Sequence, residues 1–306
     1  MPAVGVKGEN DMPITPRAAS RFSFEPSREF PMSSDDFEFL ANLATRKTGI
    51  VFGPNKVDLV YTRVSRRLRQ LGLKTFREYI DYIQRDPVGN ETTLLINALT
   101  TNLTRFFRSP EHFTHLRDVV IPDCLQLPSK GVAKRIRFWS SGCSTGEEAY
   151  SIGISSIQSL GSRLNQIDLK ILATDIDTTI LAHAESGEFS ESAVENVSED
   201  LRRQFFVSTK SAATPQWRVK DNVRNLVRFK KLNLQDQWPM SGQFDAVFCR
   251  NVLIYFAPDL KQRLLRKLAG VLRPGGWIYL GSSESVTFSC PELRRVGSAI
   301  YQRVDG

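Results

Sequence analysis

The stretch RIRFWSSGCSTGEEAYSIGI, Arg135 to Ile154, constrains this chain more than any other. Ile136, Phe138 and their apolar neighbours make a short strand, and Gly142 and Gly146 let the backbone turn tightly. Ala149, Ile152 and Ile157 then recur at helical spacing, so a strand, a glycine turn and a helix follow one another. Further along, IDLKILATDID supplies a second buried strand, Ile171 to Thr174, which delivers Asp175 to its carboxyl end. A carboxylate there can accept hydrogen bonds from both hydroxyls of a ribose, so the pattern predicts a nucleoside cradle.

The turn differs from the dinucleotide fingerprint GxGxxG. It reads SGCSTGEE, with two acidic residues where a pyrophosphate would meet the helix N-terminus, which disfavours phosphate. Carboxylates at Glu147 and Glu148 sit better beside a positive ligand, and S-adenosylmethionine carries a sulfonium and an ammonium on an adenosine ribose. The same two residues also suit a purely structural role as first-turn acids complementing the helix dipole.

A chain of 306 residues, 41% hydrophobic and 24% charged, holds one large domain or two modest ones. No apolar run approaches the roughly eighteen residues of a membrane span, and Pro2, Pro13 and Pro16 interrupt an N-terminus without a signal-peptide core. A cytoplasmic protein is expected. Cys124, Cys143, Cys249 and Cys290 are widely spaced and the only histidines are His112, His115 and His183, so neither a metal site nor a disulfide is expected. The net charge of +8 favours an acidic partner, either nucleic acid or an acidic protein surface.

Residues 1–32 are rich in Pro, Ser and charge without periodicity, which predicts a disordered tail. An N-terminal helical domain is expected over 33–104. Ser34 can cap its first helix, and Thr75 with Glu78 forms a capping-box pair ahead of Phe76, Tyr79, Ile80 and Ile83. Between them Val57, Val60, Tyr61, Val64, Leu68 and Leu71 share one helical face, while Arg63, Arg66, Arg67 and Gln70 share another. That second face is a solvated stripe or a docking surface for acidic residues. NALTTNLTRFFRSPEHF, Asn97 to Phe113, sets polar residues against phenylalanines and marks a functional junction. From 105 to 306 strands alternate with helices, with strands at Phe244–Cys249 and Trp277–Leu280 and a helix at Asp259–Leu272. This alternation predicts a parallel sheet covered on both sides, interrupted by a small antiparallel insertion at about 187–231.

With these residues in view, the chain resembles the bacterial chemotaxis receptor methyltransferases, the CheR-type protein-glutamate O-methyltransferases. NALTTNLTRFFR, WSSGCSTGEEAYSI, ATDID, FCRNVLIYF and GSSES stand in the order and approximate spacing of that family, from about Ser33 to the C-terminus. The resemblance implies an α/β fold in which a Rossmann-like S-adenosylmethionine-dependent methyltransferase domain with a β-subdomain follows an all-α domain. It implies donor contacts at Asn102, Thr104, Arg108, Glu147, Asp175, Asn233, Leu234, Arg250 and Asn251, with Arg108 and Tyr255 at the reacting groups. S-adenosylhomocysteine is the implied product. The implied substrates are glutamates on the cytoplasmic helical domain of methyl-accepting chemotaxis receptors, and the basic face of Arg63, Arg66 and Arg67 is expected to dock those acidic helices. Neither nucleic acid nor direct membrane insertion is implied, and a monomer is expected.

Two other readings remain open at this point. A nucleic-acid methyltransferase would suit the charge, although the proline-proline-aromatic motif that such enzymes resemble one another in is replaced by Arg250, Asn251, Val252 and Leu253. A non-enzymatic donor sensor is the other. In the family the β-subdomain can grip a receptor's C-terminal tether by strand addition, but the loop Ser208 to Gln216 has no glycine, unlike tether-binding relatives.

Overall fold

The computed structural model describes residues 28–128, 134–210, 215–240, 242–284, 286 and 290–304. Most of the expected tail therefore lies outside the described residues. Its last part is packed: Phe30 and Met32 are buried in the helical core, and the Phe30 N–H donates to the Tyr61 hydroxyl (3.2 Å). Four helices make that domain: α1 (Ser34–Thr48), α2 (Val57–Leu71), α3 (Phe76–Gln84) and α4 (Asn90–Leu99). The cap of α1 is Ser33 rather than Ser34. Ser33 Oγ accepts from Asp36 N (3.1 Å) while Asp36 Oδ2 accepts from Ser33 N (2.9 Å), a reciprocal capping box. Only half of the Thr75–Glu78 pair forms, because Glu78 Oε2 accepts instead from Lys74 N (2.8 Å).

Past the junction come α5 (Pro110–His115), a π-helical turn (Leu116–Val120) and α6 (Ile121–Gln126). The cradle follows as β1 (Lys134–Ser140), α7 (Glu147–Leu160) and β2 (Ile167–Asp175), and then α8 (Thr178–Ser186). The inserted region holds β3 (Glu188–Ser190), α9 (Glu191–Val194), α10 (Glu199–Phe205), β4 (Phe206–Lys210), β5 (Pro215–Val219) and α11 (Asp221–Arg224). The chain closes with β6 (Val227–Lys231), β7 (Phe244–Cys249), α12 (Pro258–Val271), β8 (Leu272–Leu280), β9 (Leu293–Gly297) and β10 (Ile300–Arg303).

The main sheet has seven strands in the order β6-β2-β1-β7-β8-β10-β9. Its first five strands run parallel, as the alternation requires, and β10 and β9 add an antiparallel hairpin that makes the sheet mixed. Side chains alternate between two cores. Ile136, Phe138, Ala246, Phe248, Trp277 and Tyr279 point to the face covered by α5 to α7, while Trp139, Val247, Cys249, Ile278 and Leu280 point to the face of α12. The small sheet is β3-β5-β4 and antiparallel. Val227–Lys231, expected within the insertion, instead pairs parallel with β2 at the edge of the main sheet. Leu272 to Gly276 also belongs to β8, and the turn residues are absorbed as an irregularity between Phe244↔Leu272 and Ala246↔Trp277. Among the described residues no helix is long and apolar enough to cross a membrane.

Candidate active site

Strand order reverses between β1 and β7, so the connections after those two strands part to opposite sides and open a crevice at their carboxyl ends. The segments after β1, β2, β6 and β7 meet there. They enclose a cavity of about 260 Å³ whose remaining wall comes from the junction and from the α1–α2 connection of the helical domain.

Asp175 stands at the tip of β2 and lines the cavity. Its Oδ2 accepts from Ser144 N (2.9 Å) and its Oδ1 from Asp177 N (3.1 Å). One acceptor site on each oxygen is left over, the set a ribose diol needs. Burial raises the carboxyl's pKa, and the backbone bonds from Asp177 and Ser144 pull the other way. Apolar Ile176, Leu232 and Leu234 line the same cavity and offer a surface for a base. The cradle thus fits an adenosine-type donor.

Asp177, which sequence reasoning did not single out, ties the site together. Oδ1 caps α8 through Thr179 N (2.9 Å) and Ile180 N (3.1 Å). Oδ2 accepts from Thr100 Oγ1 (2.8 Å) and Asn102 Nδ2 (2.9 Å), which holds the junction over the cradle. Asn97 adds bonds from Nδ2 to Thr178 Oγ1 (2.9 Å) and Thr179 Oγ1 (3.0 Å). The ATDID motif was the available signal, since its second carboxylate precedes a helix.

The two acids of the turn diverge. Glu148 lines the cavity, accepts from Ser140 Oγ (2.7 Å) and pairs with Arg250 Nη1 (3.0 Å) in a buried ion pair. Arg250 Nη2 also donates to Ser109 Oγ (2.8 Å). Glu147, expected at the donor, is buried outside the cavity lining, and its Oε2 accepts from Thr145 Oγ1 (2.5 Å). Burial raises the Glu147 pKa, opposed by that bond. Successive helical residues point in directions about 100° apart, and here the turn sets Glu148 toward the cavity and Glu147 away from its lining.

The loop after β7 is held by Glu284, from the GSSES motif. Buried Glu284 accepts from Asn251 N (2.7 Å) and Gly281 N (2.6 Å) on Oε2 and from Ile254 N (3.2 Å) on Oε1. Asn251 is thereby fixed in the left-handed region at φ +57°. The helical domain closes on the same loop: Val51 N donates to Tyr255 O (2.9 Å), and Ile50 bridges Phe256.

Of the expected residues, Asn102, Thr104, Arg108, Asp175, Leu234, Arg250, Asn251 and Tyr255 line one cavity. Asn233 is turned away. Its Nδ2 donates to the Lys47 carbonyl (2.8 Å) at the end of α1, and its Oδ1 accepts from Gln235 N (3.1 Å). The expected docking arginines separate as well. Arg63 caps α4 through the carbonyls of Leu99 (2.8 Å) and Thr100; its pKa is lowered chiefly by burial, with nearby Tyr255 acting in the opposite sense. Arg67 forks onto Glu91, at 2.7 Å to each oxygen. Arg66 is exposed and has no ion pair among the described residues. None of the three histidines lines the cavity, and all four cysteines are buried and free, so no activated thiol serves it.

Comparison with known proteins agrees with this construction. Residues 102–300 match the family described as CheR methyltransferase, SAM binding domain, and residues 35–100 match the one described as CheR methyltransferase, all-alpha domain. A probable chemotaxis protein methyltransferase of Rhizobium etli is 43% identical over 239 residues, 78% of this chain and 88% of that one. Chemotaxis protein methyltransferase 2 of Pseudomonas aeruginosa is 38% identical over 276 residues, 90% and 95% of the two chains. The chemotaxis protein methyltransferase of Escherichia coli is 34% identical over 271 residues, 88% and 91%. With both halves of the chain matched and the donor cradle in place, the chain belongs to the CheR methyltransferase family and is an S-adenosylmethionine-dependent methyltransferase.

Proposed function

We propose that this enzyme methylates glutamate side chains on the cytoplasmic helical domain of methyl-accepting chemotaxis receptors, forming glutamyl methyl esters and leaving S-adenosylhomocysteine. The observation that carries the reading is the division of charge in the cavity. Asp175 and the mutually paired Glu148 and Arg250 line it, and so do Arg108 and Lys56, which have no carboxylate partner among the described residues. An anionic acceptor is drawn to those cations.

S-adenosylmethionine supplies a methyl group on a sulfonium. Asp175 holds the ribose hydroxyls, and the Arg250–Glu148 pair and Asn251 fix the wall beside the donor. A glutamate has an ordinary pKa of about 4.3 and arrives ionised at neutral pH, so no general base is needed. That agrees with a cavity lined by no histidine. The work of the protein is alignment, with the attacking oxygen and the methyl carbon about 3–3.5 Å apart and in line. Arg108, whose only hydrogen bond among the described residues is Nη1 to Leu103 O (3.2 Å), is available to hold one carboxylate oxygen and leave the other to attack. Tyr255 lines the same cavity and is the residue expected to close it on the acceptor. On this reading the enzyme works as a monomer in the cytoplasm and uses no metal.

The test is transfer of a labelled methyl group from S-adenosylmethionine to a purified receptor cytoplasmic fragment. The expected label is base-labile and is released as methanol. An alkali-stable label, or transfer to an oligonucleotide and not to the fragment, would refute the reading.

A further inference from the structure

We infer that Leu103, Val51 and Ile254 form an apolar rim that seats the non-polar flank of the segment carrying the target carboxylate, and so select which glutamates are methylated. This rests on the receptor-glutamate reading above. Among the described residues, ten large hydrophobic side chains are exposed. Scattered singly they would need no explanation, but three of the ten line this one cavity.

Leu103 is 85% exposed, Val51 46% and Ile254 43%. A side chain that lines a cavity and still faces solvent stands at its mouth. The three come from separate parts of the chain: the junction, the α1–α2 connection and the loop after β7. Each of those segments is pinned within a residue or two of its apolar side chain. Asn102 bonds Asp177 (2.9 Å), Val51 N bonds Tyr255 O (2.9 Å), and Ile254 N bonds Glu284 (3.2 Å). The backbone beneath each rim side chain is therefore held in place, so the three side chains are presented at fixed positions around the mouth.

What covers it follows from the chemistry. A glutamate that reaches Arg108 is attached to a polypeptide, and that polypeptide lies across the mouth. The cations Arg108 and Lys56 account for the carboxylate, but they leave Leu103, Val51 and Ile254 to be matched by the residues beside it. A polar flank would be desolvated there without partners, whereas an apolar one gains by burial. The occupant is accordingly one amphipathic helical segment, with a glutamate bordered by aliphatic side chains one helical turn away.

The experiment measures methylation of a purified receptor cytoplasmic fragment by wild type and by Leu103→Gln, Val51→Gln, Ile254→Gln, Leu103→Met and Val88→Gln. Val88 is 77% exposed and does not line the cavity, so its substitution controls for general loss of surface hydrophobicity. Each rim glutamine is expected to raise KM for the fragment roughly tenfold, with S-adenosylhomocysteine affinity unchanged and the Met variant close to wild type. Unchanged KM in the rim variants, or an equal rise in Val88→Gln, would overturn the inference while leaving receptor methylation standing. No transfer by wild type would remove the receptor reading and this inference with it.

Discussion

Replacing Glu284 by Gln tests whether the loop after β7 is set by that one buried carboxylate. Glu284 accepts three backbone N–H groups, from Asn251 (2.7 Å), Gly281 (2.6 Å) and Ile254 (3.2 Å). Hydrogen bonds to a charged acceptor contribute about 1.5–3 kcal/mol each, against about 1 kcal/mol for neutral ones. A glutamine oxygen in the place of Oε2 keeps the Asn251 and Gly281 bonds in neutral form. Its amide NH₂ then opposes Ile254 N–H, donor to donor. One charged bond is lost and two are weakened, which by these figures comes to about 2.5–7 kcal/mol in all. Because the N–H groups of Asn251 and Ile254 lose their shared charged acceptor, the loop should relax and shift Arg250 and Asn251 in the cavity wall. Calorimetric titration with S-adenosylhomocysteine should show Kd raised at least about tenfold. The melting temperature should fall in parallel. Glu284→Asp keeps the charge but shortens the reach, and should fall between the two. Donor-product binding by Glu284→Gln within about a factor of two of wild type would refute the reasoning.

Three further outcomes are expected. Burial raises the Asp175 pKa, so the cradle's carboxylate is lost on acidification at a pH above the ordinary 3.8; S-adenosylhomocysteine affinity should fall there. In the donor-free protein the sign reverses. Relative to Asp175→Asn, the stabilising contribution is fully present below 3.8 and is lost as pH rises through the folded value, which urea midpoints across pH would detect. Glu148→Ala leaves Arg250, whose side chain is 3% exposed, without its carboxylate and should cost about 3–5 kcal/mol in denaturant titration; a change below about 1 kcal/mol would show the pair is solvated. Arg67→Glu sets two carboxylates together at buried Glu91 and should destabilise the helical domain, whereas exposed Arg66→Glu should leave stability within about 0.5 kcal/mol and lower receptor methylation. Equal methylation by Arg66→Glu would end its docking role.

Periodicity carried the main elements of the fold because burial on two faces leaves a direct imprint on sequence. The fully buried run of β7, apolar but for Asp245, and the one-sided helices α2 and α3 are examples. It lost β9, where Arg294, Arg295 and Val296 on an edge strand carry no burial signal, and it misplaced β6, whose parallel partner lies far off in sequence. Motif position brought Asp175 and Arg250 to the cavity, since strand ends in such sheets line the crevice. It chose Glu147, whereas Glu148 is the acid that lines the cavity, because that choice depends on how α7 is rotated about its axis. Nor did it separate Arg63 and Arg67 from Arg66. All three lie on one face of α2, but the partners that occupy two of them, the end of α4 and Glu91, are supplied only by tertiary packing. Asn233 was misread for the same reason, its amide being used by the end of α1.

The bonds from Asp177 to Thr100 and Asn102, and from Val51 to Tyr255, bear on how such enzymes exchange parts. A chimera cut after residue 104 would look modular on a linear map, yet it would import a foreign α1–α2 connection and a foreign junction at once. One wall of the cavity would then belong to one parent and the floor to the other. The two halves are therefore expected to work only as a matched pair, and a functional chimera would have to carry both sides of the mouth together.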